Sequence, residues 1–283
     1  MRPGTFRTAA ATLALAGTLA AALGALAVAL GVYDVAADVP HTQPVYSLLR
    51  VAMERSVQRR ARGIEERSLA APQLAARGAV CFRDHCAACH GAPGQAPGPA
   101  GLAMQPLPGP LVDASARWRA RELVWITRHG IRMTGMPAWA GRLDDGDIWA
   151  VVAFLQTLPD WSPAGYRQMQ AALAGQACPM APPQEGPAET THLAERGRRA
   201  LHQHACHGCH TIPGVVGEPR QVGPPLAGFG RRTLVAGRLP NTPQNLAAWI
   251  RAPQHLDPAS AMPPLNVGAA DAQAMAVYLG SLR

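Results

Sequence analysis

Two short segments constrain this chain more than anything else in it: Cys86-Ala87-Ala88-Cys89-His90 and Cys206-His207-Gly208-Cys209-His210. C-x-x-C-H is the attachment pattern for c-type haem, in which two thiols add across two vinyl groups and the adjoining His ligates iron. Two C-x-x-C pairs could instead build a four-thiolate zinc site, a redox dithiol or structural disulfides. None of these needs a His at the same next position, and the two copies lie 120 residues apart. The repeated pattern therefore predicts two covalently attached haem c groups, held by Cys86, Cys89, Cys206 and Cys209, with His90 and His210 as proximal ligands.

Each motif is followed by a methionine that precedes proline. Met136 lies 46 residues after His90 and Met262 lies 52 residues after His210. His/Met coordination is typical of electron-transfer cytochromes and raises the potential, so Met136 and Met262 are the expected distal ligands. Met104 and Met133 are rivals in the first half. Met275 falls in an apolar helical pattern and reads as core packing. His129, His202, His204, His207 and His255 read as surface or hydrogen-bonded residues.

The N-terminus reads as a membrane segment. Ala9 to Val32 contains no charge over 24 residues, about 36 Å as a helix, against a hydrocarbon core of about 30 Å. Arg2 and Arg7 precede it, which by the positive-inside rule exports everything that follows. A cleaved signal peptide is the competing reading, with Val35-Ala36-Ala37 as a small-residue cleavage site, although its apolar region usually runs about 7–15 residues. Length favours the anchor, and both readings export the chain. After it, an extended exit and an amphipathic helix from Tyr46 to about Ser68 are expected, as a spacer or with its basic face on headgroups.

Composition narrows the function classes. All 26 basic residues are Arg, and the net charge is +8. Arg59-Arg60-Ala61-Arg62 and Arg198-Arg199 are too short for a nucleic-acid stripe and read as solvated helix faces. The basic C-terminal part suits an acidic protein partner. Aromatics are only 5%, thin for two cores unless a non-protein group fills them.

Around each motif the sequence repeats itself. Gly78 and Phe82 precede the first, Gly197 and Leu201 the second. A Gly on the contact face of a helix permits close crossing and would justify its helical cost of about 1 kcal/mol. After each Met comes an acidic start and an apolar i, i+3, i+4, i+7 stripe: Asp144, Asp145 and Asp147 before Ile148, Val151, Val152 and Leu155; then Asp271 before Met275, Tyr278 and Leu279. Between motif and Met lie Pro/Gly-rich loops, with 6 Pro and 5 Gly in 91–110.

On these residues each half resembles a class I c-type cytochrome domain, over about 71–160 and 191–283. The resemblance implies an all-α fold with haem at its centre: an N-terminal transmembrane helix followed by two cytochrome c-like domains. It also identifies Gly223-Pro224-Pro225-Leu226 with the family segment whose Pro carbonyl accepts a hydrogen bond from the ligating His, with Pro108-Gly109-Pro110-Leu111 as its counterpart. Leu239 through Trp249 to Met262-Pro263-Pro264 is similar to the haem domain fused to subunit II of some terminal oxidases, without that subunit's copper domain. The expected organisation is an anchor (1–34), a juxtamembrane helix or spacer (35–70), domain 1 (71–160), a Pro-rich linker (161–190) and domain 2 (191–283). Cys81 and Cys178 either pair in the oxidising exterior or stay as buried or free thiols.

The reading is a membrane-anchored dihaem cytochrome c of a bacterial inner membrane, single-pass, with its haem domains on the periplasmic side. It is expected to be an electron-transfer protein rather than an enzyme, taking electrons from a redox protein donor and passing them to an acceptor in or at the membrane. Nucleic acid is not an expected partner. A cytochrome subunit of a periplasmic dehydrogenase, a dihaem peroxidase and a zinc or structural module are the rivals. A peroxidase needs an open iron site, against which two Met-Pro candidates argue.

Overall fold

The computed structural model describes residues 3–180, 190–219 and 222–283. The chain is mostly helical, 56% with 3% strand, and divides into two compact units, Met1–Met180 and Ala181–Arg283. The linker prolines Pro182, Pro183 and Pro187, and Arg2 before the apolar segment, lie outside the described residues.

In the first unit α1 (Pro3–Ala29) comes first. Its stretch Ala11–Ala29 is long and apolar enough to cross a membrane. Fourteen residues later α2 (Gln43–Arg60) begins with Pro44 in its first turn and ends in a 3₁₀ turn, Ala61–Gly63. The expected helix thus starts three residues earlier than Tyr46 and stops at Gly63 rather than Ser68. Tertiary contacts account for the early stop. Ile64 and Leu69 pack on the first unit's core. Arg67 pairs with Asp145 at 2.9 Å and lies 5.2 Å over the Trp149 ring. Val57 and Ala61 are buried, so the end of the juxtamembrane segment is part of the unit's packing.

The core helices are α3 (Pro72–His85), α4 (Ala120–His129), α5 (Asp145–Thr157) and α6 (Pro163–Ala172). Asp144 caps α5 by accepting the Asp147 N–H at 2.7 Å, and the α4 residue Glu122 accepts the Arg119 N–H at 2.9 Å; both satisfy donors that a helix start leaves unpaired. Helix α3 crosses α5 at Gly78, where a Cβ would stand 1.9 Å from the Ala150 carbonyl oxygen. Phe82, one turn on, is buried against Phe154 with ring centroids 5.3 Å apart.

The second unit repeats this arrangement with α7 (Thr190–Gln203), α8 (Pro243–Arg251) and α9 (Ala269–Ser281). At the α7–α9 crossing a Cβ on Gly197 would meet the Ala274 carbonyl oxygen at 2.0 Å, and Leu201 is buried. A short antiparallel pair, β1 (Leu234–Val235) and β2 (Leu239–Pro240), sets Val235 opposite Leu239. Met275 is fully buried in the α9 core, as its helical pattern predicts.

Each crossing also carries an ion pair from the residue before the glycine. Arg77 donates to both carboxylate oxygens of Asp147 at 2.7 and 3.0 Å, and Arg196 donates to Asp271 at 3.0 Å. The side-chain hydrogen bond to Asp147 raises the already high pKa of Arg77. An Arg-Gly pair facing an acid in the first turn of the partner helix is thus common to both units.

Cys81 and Cys178 form a disulfide that ties α3 to the chain beyond α6. Around it the Cys178 N–H donates to Asp84 at 2.9 Å, His85 donates to the Cys178 carbonyl at 2.7 Å, and Arg83 donates to the Gln176 carbonyl at 2.6 Å. Burial disfavours ionised Asp84, but the hydrogen bonds from Arg83 and the Cys178 N–H, with the charges of Arg83 and His85, outweigh it and hold the carboxyl below its usual range. Its stabilising contribution is therefore present above the unfolded carboxylate pKa of about 3.9 and lost as pH falls through the lower folded value. Asp84→Asn is expected to lose less stability than the parent between pH 5 and pH 3, read from urea midpoints of the first unit. Equal losses in the two proteins would contradict this.

Candidate haem sites

Each C-x-x-C-H motif lies on the short turn that follows its unit's first core helix. Cys86 caps the end of α3, and Ala87–His90 form one helical turn closed by the His90 N–H on the Cys86 carbonyl at 3.0 Å. In the second unit the His210 N–H reaches the Cys206 carbonyl at the same 3.0 Å. The turn brings the two sulfurs of each motif and the following imidazole together.

The imidazoles are oriented identically. His90 Nδ1 donates to the Gly109 carbonyl and His210 Nδ1 to the Pro224 carbonyl, each at 2.8 Å. This fixes the tautomer and leaves Nε2 as the free lone pair, as a metal-ligating His requires. The second acceptor is the expected proline. In the first unit it is Gly109 of Pro108-Gly109-Pro110, so the shared feature is the residue before the second proline. A Cβ on Gly223 would lie 2.4 Å from the His210 ring, and one on Gly101 2.7 Å from the Cys89 carbonyl oxygen. The Pro/Gly loops therefore run against the motifs at distances that only glycine permits. They are tied there by the Gly98 N–H on the Ala88 carbonyl at 2.8 Å and the Gly223 N–H on the Cys209 carbonyl at 2.9 Å.

The two Met-Pro loops share a turn that sequence reading missed. The Met136 N–H donates to the Thr134 hydroxyl at 3.1 Å, and the Met262 N–H donates to the Ser260 hydroxyl at 3.2 Å. The legible signal is a hydroxyl residue two before the Met. Met133 is 91% exposed with φ 61°, so its sulfur stands in solvent. Met104 packs against the loop itself, its sulfur 2.2 Å from where a Cβ on Gly135 would be.

In the second unit Cys206, Cys209, His210 and Met262 line one cavity of about 310 Å³, whose other lining residues are mostly apolar, such as Leu226 and Trp249. Two thiols, an imidazole with a free Nε2 and a thioether around an apolar cleft fit haem c. Burial pushes the Cys86 thiol up to about 12 and the Cys206 thiol up to about 11, opposite to the lowered pKa of a redox dithiol. Of the other histidines, His204 pairs with Asp271 at 3.3 Å, His202 stacks on His207 at 4.7 Å, and His129 lies 4.9 Å from the Trp125 ring.

Comparison with known proteins places both units among cytochrome domains. Residues 73–155 match the family model described as cytochrome C oxidase, cbb3-type, subunit III, and residues 194–283 match that of cytochrome c. The chain is similar to cytochrome c oxidase subunit 2 of Alkalihalophilus pseudofirmus, 39% identical over 100 residues, 35% of this chain and 28% of that protein. It is also similar to cytochrome c oxidase subunit 2 of Bacillus sp. strain PS3, 35% identical over 78 residues, 27% of this chain and 22% of that one. The chain thus spans less than a third of the length of these relatives. No solved structure matches it. Behind an apolar N-terminal helix suited to membrane anchoring, the chain carries two electron-transfer domains of the c-type cytochrome class, residues 73–155 and 194–283.

Proposed function

We propose that the protein is a membrane-anchored dihaem cytochrome c that passes single electrons from a respiratory donor to a terminal oxidase, with its haem domains on the periplasmic side. The observation that carries this is the duplicated donor set: in each unit an imidazole held through Nδ1 on a loop carbonyl, two adjacent thiols, and a methionine held by a hydroxyl two residues before it. Bound haem supplies a reversible one-electron couple on iron. The chain does the rest. Cys86 and Cys89, then Cys206 and Cys209, would hold the macrocycle by thioether bonds. The Gly109 and Pro224 carbonyls hold His90 and His210 through Nδ1 and leave Nε2 free for iron, and Met136 and Met262 would supply the second ligand, so neither site would be left open for small-molecule chemistry. In the second unit the mostly apolar lining would exclude water and favour the less charged reduced form.

The oxidase names carried by the first domain's family model and by both relatives support an oxidase as acceptor over a separate dehydrogenase. Tethering by α1 would raise the effective concentration at such a partner.

The test is one preparation read two ways. A pyridine haemochrome assay should give two covalent haems per chain. Met136→His and Met262→His should each remove about half of the red Fe–S(Met) charge-transfer absorbance. One haem per chain, or an intact band in both variants, would overturn the assignment.

A further inference from the structure

A second kind of site lies in the first unit, away from the cysteine motif. Between the end of α2 and the start of α4 is an open cleft of about 540 Å³, and none of its lining residues belongs to the Cys86–His90 turn or the Met136 loop. Four arginines are among its lining residues, Arg62, Arg117, Arg119 and Arg121, together with Trp118 and one acid, Glu122. Glu122 is buried and engaged at the α4 N-terminus. Arg117 pairs with Asp113 at 3.1 Å and Arg121 loosely with Glu66 at 3.8 Å. Arg62 and Arg119 have no ion pair among the described residues. Two exposed arginines without an ion pair, Arg62 and Arg119, beside two already paired ones make a site for an anion, and the planar fork suits phosphate oxygens.

The chain leading to the cleft indicates where that phosphate comes from. Helix α2 begins fourteen residues after the apolar helix α1 ends. On α2 the side opposite buried Val57 carries Leu48, Ala52, Arg55 and Arg59, at spacings that keep them on one face. Leu48 is 70% exposed and Val57 only 1%. An outward face that is apolar near the anchor and basic farther on, and that leads to Arg62 on the cleft, is the pattern of a helix lying at a lipid interface. Trp118 is a residue type enriched at that level.

We infer that the cleft lined by Arg62, Trp118 and Arg119 binds the phosphate headgroup of an anionic lipid from the bilayer in which α1 stands. Such binding would hold the first haem domain at the membrane surface and restrict how it meets a membrane partner. The inference rests on reading α1 as a retained anchor, which N-terminal sequencing of the same sample tests separately.

The experiment is native mass spectrometry of the full haem-loaded chain in detergent, mixed with phosphatidylglycerol or phosphatidylcholine. The parent should retain phosphatidylglycerol at least about tenfold better, and Arg62→Gln/Arg119→Gln should lose about that factor. The charge-matched control Arg251→Gln/Arg283→Gln, in the other unit, should retain the parent's selectivity. Unchanged haem absorbance and far-ultraviolet circular dichroism would show that both variants fold. Equal retention of the two lipids, equal loss in the control, or a cleft variant that behaves like the parent would overturn the inference. Displacement by excess inorganic phosphate, but not by chloride at equal ionic strength, would make the ligand a free phosphate and overturn the lipid assignment.

Discussion

Gly197→Ala is expected to lower the melting temperature of the second unit by about 15 °C, and Gly78→Ala that of the larger first unit by about 10 °C. A Cβ at either position would stand 1.9–2.0 Å from a carbonyl oxygen and 2.4 Å from its carbon, well inside van der Waals contact. The obstruction is the backbone of the partner helix, at Ala150 and Ala274, so no side-chain rotation relieves it. Moving the helices apart would also stretch the Arg77–Asp147 and Arg196–Asp271 pairs and thin the packing of Phe82 and Leu201. Overpacking costs roughly 1–3 kcal/mol, and a clash with backbone belongs at the upper end. At about 4–8 °C per kcal/mol for the second unit and about 2–4 °C per kcal/mol for the larger first unit, the two shifts follow. Gly280→Ala is the control. It lies on α9, exposed, with nothing within 4 Å of the added methyl, so ordinary helix propensity should leave it neutral or stabilised by about 0.5–1 kcal/mol. Calorimetry of the three variants decides the matter: a Gly197→Ala protein melting within a few degrees of the parent would mean that the helices do not cross there.

Removing the disulfide should be the other large perturbation. Cys81→Ser/Cys178→Ser opens a closed loop of 97 residues, and constraining a loop of that length is worth about 4.7 kcal/mol in the chain-entropy account. Both sulfurs are buried, at 0% and 3% exposure, so the serines also place hydroxyls in an apolar setting. Around the bond, Asp84, His85 and Arg83 hydrogen-bond the backbone of residues 176–178, so the disulfide and these contacts close the first unit together. The first unit should melt earlier while the second, which contains neither cysteine, stays unchanged. Thiol labelling of the intact native parent should modify neither Cys81 nor Cys178. Coincident melting of parent and double variant would show that the bond contributes nothing to the folded state.

Much of this protein is written in short stretches. C-x-x-C-H, Met before Pro, an acid-led apolar stripe and a glycine one turn before a large apolar residue are local patterns, and each depends on bond geometry or helical period rather than on distant chain. From them come the helices α3, α5, α7 and α9, the crossing glycines and the donor set proposed for each site. What depends on the meeting of distant segments was not legible. Cys81 could have paired or stayed free, because spacing carries no information on Cα approach across 97 residues. The acceptor for His90 proved to be Gly109 rather than a proline, since a carbonyl is chosen by where the loop passes and every residue has one. Arg67, Glu66 and Ile64 left the expected helix because partners on α4 and α5 and in the core drew them away. Sequence determined which groups are present and in what local order. The tertiary structure decided which of them meet, because such contacts are settled by the packing of the whole unit and not by any neighbour along the chain.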